Sequence, residues 1–165
     1  MWVVLKINKT HISLLKDDFK KKLGDDVKFY IPKLQVKKFF NKKIYQKEIF
    51  LLDDYLLCFH KDFSKRSVLT SMKYCKGLKY FLTDFISSQN EIQNFINKCK
   101  ENENENGFIK PSFFEYKINS NFEFISGPFT NMIFKILYEN KASIKALIGN
   151  YKFTVSKDQN LLRPV

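Results

Sequence analysis

The sequence predicts an α+β protein with an N-terminal sandwich of strands and helices, a linker and a small C-terminal β-barrel. Residues 2–100 alternate apolar, β-branched runs with amphipathic helical patterns, as an α+β sandwich does. Residues 100–107 contain no apolar side chain and are nearly a Glu-Asn repeat, so they cannot contribute to a core. Residues 124–155 are short runs rich in Ile, Phe, Val and Thr, broken by Gly-Pro and Gly-Asn, which favour small antiparallel strands.

The N-terminal part opens with a predicted strand followed by a basic amphipathic helix. Residues 2–7 are apolar and β-branched, as in a strand. Thr10 can cap the helix that follows, and Gly24 can end it. The helical face is formed by apolar residues at helical spacing, namely Ile12, Leu15, Phe19 and Leu23.

Further strands are predicted between residues 27 and 59. Pro32 lies inside the first, at 27–36, and implies an edge or a bulge because proline cannot donate to a ladder. Residues 37–43 form a basic, aromatic connection to a strand at 44–52, and another strand spans 55–59.

The rest of this region is predicted as a short helix at 64–71, a strand at 78–82 and a helix at 88–100. Ser88 and Glu91 have the spacing of a capping box. The last helix has one apolar face, formed by Ile92, Phe95, Ile96 and Cys99.

Composition favours a basic protein of the cytoplasm. The formal net charge of +12 favours a polyanionic partner, or a surface near one, although a lysine-rich background would also raise it. No apolar run reaches the roughly 18 residues of a membrane span, and the start of the chain lacks the basic leader of a signal peptide. The three cysteines have no Cys-x-x-Cys spacing, so neither zinc nor a disulfide framework is supported.

The residues offer no catalytic constellation, so we expect a binding protein with no enzymatic activity, no cofactor and no metal. His11 and His60 are far apart and lack a metal-ligand spacing, so both are expected at the surface. Adjacent carboxylates such as Asp53 and Asp54 point apart on regular elements and do not form a shared acid–base site. The five glycines form no phosphate-binding loop.

The C-terminal stretch resembles the KOW module of NusG-family transcription factors. The resemblance is carried by Gly127-Pro128-Phe129, a strand at 133–137, Ile148-Gly149 and a strand at 153–155. The N-terminal part resembles the same family through three landmarks, which are Trp2-Val3-Val4, Tyr30-Ile31-Pro32 and the segment 50–56.

The resemblance covers nearly the whole chain and implies a specific organisation. Residues 1–100 would form an RNA polymerase-binding domain with a mainly antiparallel four-stranded sheet and helices on its faces. Residues 101–111 would be a flexible linker and 112–165 an SH3-like KOW barrel, in a monomeric protein. Two departures, Asp53-Asp54 in place of Pro-Gly and Phe134 in place of a glycine, suggest a specialised paralogue such as the RfaH branch.

Three surfaces follow from the resemblance. The first, Phe50, Leu52 and Tyr55, would form the polymerase-binding pocket; the alternative is that these residues belong to the core. The second is a basic hairpin that would lie near upstream DNA and the non-template strand, unless its phenylalanines fold back onto the sheet. Its nucleic acid-binding candidates are Lys37, Lys38, Phe39, Phe40, Lys42 and Lys43.

The third surface is the tip of the KOW barrel, where the family binds a small-subunit ribosomal protein or the termination factor Rho. Its residues are Phe129, Met132, Leu147 and Ile148, for which core packing is the alternative. A transcription elongation or antitermination factor is the predicted function. The other candidate is a ribosome-associated or RNA-binding KOW protein that does not act on polymerase.

Overall fold

A computed structural model describes residues 1–40, 43–110, 113–125, 127, 129–157 and 162–165, with the side chains of 37–40, 43 and 44 outside the description. Its elements in chain order are β1 (Trp2–Ile7), α1 (Ile12–Leu23), β2 (Lys28–Tyr30), β3 (Lys33–Phe40), β4 (Lys43–Phe50), β5 (Tyr55–Phe59), α2 (Arg66–Met72), β6 (Leu78–Phe81), α3 (Gln89–Glu101), β7 (Asn121–Phe124), β8 (Ile133–Glu139), β9 (Ser143–Ile148), β10 (Tyr151–Ser156) and β11 (Leu162–Pro164).

The chain divides into two compact units. The first consists of Met1–Lys33 and Phe50–Glu101, and the second of Leu34–Ile49 and Asn102–Val165. The β3–β4 hairpin is thus grouped with the C-terminal residues. The domain boundaries inferred from the sequence, at 100 and 111, stay a prediction.

The first unit is built on a four-stranded antiparallel sheet in the order β2-β5-β1-β6. Side chains of β1 alternate, so Val3, Leu5 and Ile7 are buried while the residues between them are partly exposed. These three pack in one core with Leu15 and Phe19 of α1. Ile92 and Ile96 of α3 join the same core. The predicted α+β class, with helices packed on an antiparallel sheet, is confirmed.

Pro32 separates two strands that the sequence had suggested were one. Its backbone accepts a hydrogen bond from the amide of Leu51 (2.9 Å) instead of extending a ladder. The chain therefore leaves the sheet after β2, and β3 pairs only with β4 in a separate two-stranded ribbon. The prediction of one continuous strand is wrong because the missing proline N–H ends it, whereas the predicted edge position agrees with β2, which is an edge strand of its sheet.

The start of α1 also differs from expectation, whereas its end does not. Thr10 does not cap α1: it lies in a short 3-10 turn that Asn8 starts, where Asn8 Oδ1 accepts from the Thr10 amide at 3.2 Å, and α1 begins after His11 with no side-chain cap. Gly24 ends α1 at a φ of 87°, with its amide donating to the Lys20 carbonyl at 2.8 Å. Glycine adopts this positive φ without the steric cost of a Cβ.

His60 is buried, with 2% of its surface exposed, so its predicted surface location is wrong. Its Nδ1 accepts from the Asp62 amide at 3.2 Å, and its ring lies edge-on to Phe63 at 5.8 Å. The 3-10 turn that His60 caps carries the ring inward beside a core phenylalanine. His11 is exposed, as predicted.

The second unit contains a five-stranded antiparallel sheet in the order β10-β9-β8-β7-β11. Its core is aromatic: the Phe124 and Phe134 ring centroids are 4.6 Å apart, and Phe122 lies 6.4 Å from Phe134. Phe134 is therefore an inward-facing core residue. The short terminal strand β11 contains Pro164, and the opposite edge strand β10 carries Lys152.

The predicted linker includes an ordered turn. Oδ1 of Asn104 accepts from the amides of Asn106 and Phe108, both at 3.0 Å, and Glu103 bridges Ile109 in antiparallel fashion. Ile109 is buried. Among the described residues, no helix is both long enough and apolar enough to cross a membrane.

Candidate functional site

A row of two tyrosines with a lysine between them crosses three strands of the first sheet. Register pairs Lys6 of β1 with Tyr55 of β5 on one side and with Tyr80 of β6 on the other. Lys6 lies between Leu5 and Ile7, so this row points away from the face that those two residues bury. We call Tyr55, Lys6 and Tyr80 the tyrosine row.

The Lys6 ammonium holds this row together. Its Nζ donates to the Tyr55 hydroxyl at 3.1 Å and lies 4.7 Å from the Tyr55 ring centroid and 6.0 Å from that of Tyr80. The Asp54 carboxylate is 3.6 Å from Lys6 Nζ and 3.4 Å from Lys79 Nζ. The hydrogen bond to Tyr55 is the main reason that the pKa of Lys6 is raised.

The two tyrosines share a hydrogen bond that shifts their pKa values in opposite directions. It lowers the pKa of Tyr55, with the bond from Lys6 adding to the effect, and it raises the pKa of Tyr80. The Tyr55 oxygen accepts the hydrogen bond from Lys6 Nζ, so its hydroxyl is held beside that ammonium.

Of the three predicted pocket residues, only Tyr55 belongs to the row. β4 ends at Phe50, and Leu52 lies in the turn that follows, so the strand predicted at 44–52 ends two residues earlier than expected. Leu52 packs against the first core, and its carbonyl accepts from the Tyr55 amide at 3.0 Å. Phe50 is half-buried, and among the described residues no hydrogen bond or ring contact joins it to the row.

Asp53 and Asp54 each have a local role. Asp53 adopts a φ of 51°, a left-handed conformation that aspartate tolerates better than most residues, and it pairs with Lys9. Asp54 forms ion pairs with Lys6 of the row and with Lys79. Asp54 thus adds a carboxylate to the predicted binding surface.

The nucleic acid-binding candidates fall where side chains are not described. Lys37, Lys38, Phe39 and Phe40 lie in β3, Lys43 begins β4, and Lys42 is outside the described residues altogether. At the base of this hairpin Leu34 and Val36 are buried, while Gln35 donates across the ladder to Gln46 at 3.3 Å. The assignment of these lysines and phenylalanines stays a prediction.

The second unit has an apolar pocket of about 490 Å³ that includes three of the four predicted tip residues. We call it the C-terminal pocket; its lining is Phe129, Met132, Ile148, Tyr151, Phe153 and Thr154. Phe129 is 48% exposed and Met132 41% exposed, so both are open to a partner.

The pocket is supported from below by the aromatic core. The Phe129 ring centroid lies 5.7 Å from that of Phe124 and 6.4 Å from that of Phe153. Asn131, at a φ of 71°, donates its amide to the Phe124 carbonyl at 2.8 Å, which fixes the turn that carries Phe129 and Met132. These contacts form the pocket wall before any partner binds.

The β9–β10 hairpin supplies the rest of the lining. Gly149 turns the chain at a φ of 56°, and Ile148 pairs with Tyr151 directly across the turn. Tyr151 and Phe153 were missed, although their alternation after the Gly149-Asn150 turn is a signal that could have found them. Leu147 does not line the pocket: its partners across the sheet are Lys135 and Lys152, on the opposite face.

The fold and these surfaces define an α+β protein of two units, each with an antiparallel sheet, and among the described residues no group of three metal-ligating side chains exists. No protein-family model matches the chain, and no curated protein matches it. Several solved structures are similar to it, including the following two. A chain of the crystal structure of the MjSpt4:Spt5 complex in conformation B is 13% identical with a TM-score of 0.36, over 100% of this chain and 97% of that one.

The other is Thermotoga maritima NusG, in a structure of its domain interaction. It is 12% identical with a TM-score of 0.32, over 99% of this chain and 96% of that one. Likeness at these values assigns neither a family nor a function, so the functional argument rests on the surfaces.

Proposed function

We propose that this chain is a transcription elongation factor that acts by binding and not by catalysis. The tyrosine row and the neighbouring Leu52 turn bind RNA polymerase, and the C-terminal pocket binds a second protein. The β3–β4 hairpin approaches upstream or non-template DNA near the transcription bubble. The observation that carries the proposal is the partly exposed Tyr55, which Lys6 holds through a hydrogen bond of 3.1 Å and which lies at the position where the sequence resemblance places the polymerase contact.

The chemistry of the row suits a helical tip with apolar side chains and an acceptor. Tyrosine offers a large, rigid contact area with a polar end, which is why it is frequent among residues that dominate binding energy. Lys6 and Asp54 are already paired with each other, so docking over them leaves no single buried charge. The same pairing fixes the Tyr55 ring before the partner arrives, which lowers the ordering cost of binding.

We expect the Tyr55→Ala, Tyr80→Ala double variant to bind core RNA polymerase at least about tenfold more weakly, because it removes both rings of the row. Affinity is measured by retention on immobilised polymerase over a concentration series. The matched control is Tyr74→Ala, since Tyr74 is in the same unit and 87% exposed. Equal retention of both variants, with unchanged circular dichroism, would refute the assignment.

The C-terminal pocket supports binding of a small-subunit ribosomal protein or Rho. An open apolar cavity of about 490 Å³ with a tyrosine at its rim can bury an apolar side chain or a short apolar segment. Its wall is fixed by core contacts, so partner binding does not need to create the cavity. The pocket and the tyrosine row lie in different units, so one chain can bind two proteins.

Ile148→Ala is expected to weaken binding to this second partner about tenfold, because it removes apolar lining at the pocket wall. Purified small ribosomal subunits and purified Rho are tested separately against the immobilised chain. Ile118→Ala is the matched control, since Ile118 is exposed in the same unit and does not line the pocket. If neither partner is retained by the unmodified chain, the second half of the proposal fails while the polymerase result still stands.

A further inference from the structure

The face of the second sheet opposite its core carries a regular pattern of lysines. Register aligns Lys135 of β8, Leu147 of β9 and Lys152 of β10 in one row across three strands. Tyr138 pairs with Lys145 in the next row. We call Lys135, Tyr138, Lys145, Leu147 and Lys152 the outer face.

Strand alternation places this face opposite the core, and Thr154, which pairs with Lys145, marks where a row of this face reaches the lining of the C-terminal pocket. Phe134, Ile136, Ile144 and Ala146 are buried, and the outer-face residues lie between or beside them along β8 and β9. On β10, Phe153 lines the pocket whereas its neighbour Lys152 is exposed on the other side.

The outer face has a net positive charge that no described neighbour cancels. Lys135, Lys145 and Lys152 are all exposed, and none forms an ion pair with a residue that the structure describes. Glu123 of β7 lies beside this face, but Arg163 of β11 neutralises it at 2.6 Å. Three lysines on neighbouring strands, about 5 Å apart per strand, can contact successive phosphates of one backbone.

Tyr138 adds an exposed ring to this basic surface. It is 53% exposed and lies directly across from Lys145. A ring beside an ammonium is the combination that binds single strands: the base stacks on the ring while the lysine neutralises the phosphate. A duplex hides its base faces and could use only the lysines.

We propose that the outer face binds single-stranded nucleic acid. Lys135, Lys145 and Lys152 contact the backbone and Tyr138 stacks on one unpaired base. This activity is independent of polymerase binding and of the C-terminal pocket. An exposed strand, such as emerging transcript, is the chemical class of ligand, and bases are not distinguished because every base has a face that can stack.

The test measures fluorescence anisotropy of a labelled oligouridylate of 15 nucleotides over a series of salt concentrations. The full chain carries Gln at Lys37, Lys38, Lys42 and Lys43, so that the hairpin does not contribute. With three lysines on the face, the logarithm of the binding constant should fall with the logarithm of salt at a slope of about −2. Lys145→Gln with Lys152→Gln should reduce this slope to about −0.7.

Two further variants separate the face from bulk charge and the ring from the lysines. Lys110→Gln with Lys117→Gln removes the same charge from the same unit outside the sheet and should leave the slope unchanged. Tyr138→Leu should weaken binding about tenfold at fixed salt without changing the slope, because only stacking is lost. Amide shifts of the unsubstituted chain on titration should concentrate in β8 to β10, which checks the location without any variant.

The proposal is overturned if the two double variants lose affinity equally, or if duplex of the same length binds as tightly as single strand and Tyr138→Leu has no effect. Equal competition by polyglutamate would also overturn it, since an acidic protein surface would then be the ligand. Oligouridylate and oligodeoxythymidylate are run side by side, and preference for either one keeps the proposal and identifies the strand.

Discussion

Phe124→Ala is expected to unfold the second unit and to leave the first unit folded. Phe124 is 1% exposed, and its ring centroid lies 4.6 Å from that of Phe134, 5.7 Å from Phe129 and 6.1 Å from Phe153. Truncating a phenylalanine in such a core costs about 3–5 kcal/mol, a large part of the roughly 5–15 kcal/mol that stabilises a domain. All three ring contacts lie within the second unit, which is why the first should survive.

Trp2 makes this measurable because it is the only tryptophan and belongs to the first unit. Its ring lies 5.3 Å from Phe59, and its Nε1 donates to Gln93 at 2.9 Å. Its fluorescence should keep its urea midpoint in the variant, while the amide spectrum of the second unit collapses. Phe124→Leu, which keeps most of the volume, should cost about 1 kcal/mol and is the control. A variant that loses the Trp2 transition as well would contradict independent unfolding of the units.

Gly77→Ala is expected to destabilise the first unit by about 3 kcal/mol. This cost is the sum of backbone strain at a positive φ and steric overlap of the added Cβ with His11. A Cβ on Gly77 would lie 2.9 Å from both the Cβ and the backbone oxygen of His11, and Gly77 has a φ of 85°. The contact cannot relax easily because the Gly77 carbonyl accepts from the Asn8 amide at 2.8 Å. The urea midpoint of Trp2 fluorescence measures the loss.

The matched control for this substitution is Gly149→Ala in the second unit. Gly149 also has a positive φ, 56°, but a Cβ there would meet nothing within 4 Å. Its cost, followed by circular dichroism, should therefore be only the backbone part, about 1 kcal/mol. Equal costs at the two glycines would mean that the close approach to His11 contributes nothing.

Periodicity predicted those elements whose apolar pattern is complete within the element. Trp2–Ile7 and Tyr55–Phe59 were predicted to the residue, and the last helix within one residue at each end, because an apolar run or helical spacing extends over the full length of each. Pro32 and the hairpin were predicted less well. Residues 27–36 look like one apolar run, and only the hydrogen bond from Leu51 to the proline carbonyl reveals that the chain leaves the sheet there.

The candidate sites were also predicted only in part, because strand register decides which side chains share a face. The resemblance to the KOW module placed Phe129, Met132 and Ile148 at the barrel tip together with Leu147, but the Leu147 side chain lies on the other face. The sheet face on which the Leu147 side chain lies depends on strand register, which the sequence of a single strand does not specify. Lys6 and Tyr80 were missed because they join Tyr55 only through cross-strand pairing of residues far apart in the chain.

The edge strands of the four-stranded and five-stranded sheets limit self-association of the chain at high concentration. An open strand edge invites a second copy to add its own strand, and repeated addition leads to fibrils. Here β2 and β11 have three residues each, β11 contains Pro164, and β6 and β10 carry Lys79 and Lys152. Short edges with proline or lysine are poor templates for such growth, so these two sheets should not start amyloid-type aggregation despite the many phenylalanines of this sequence.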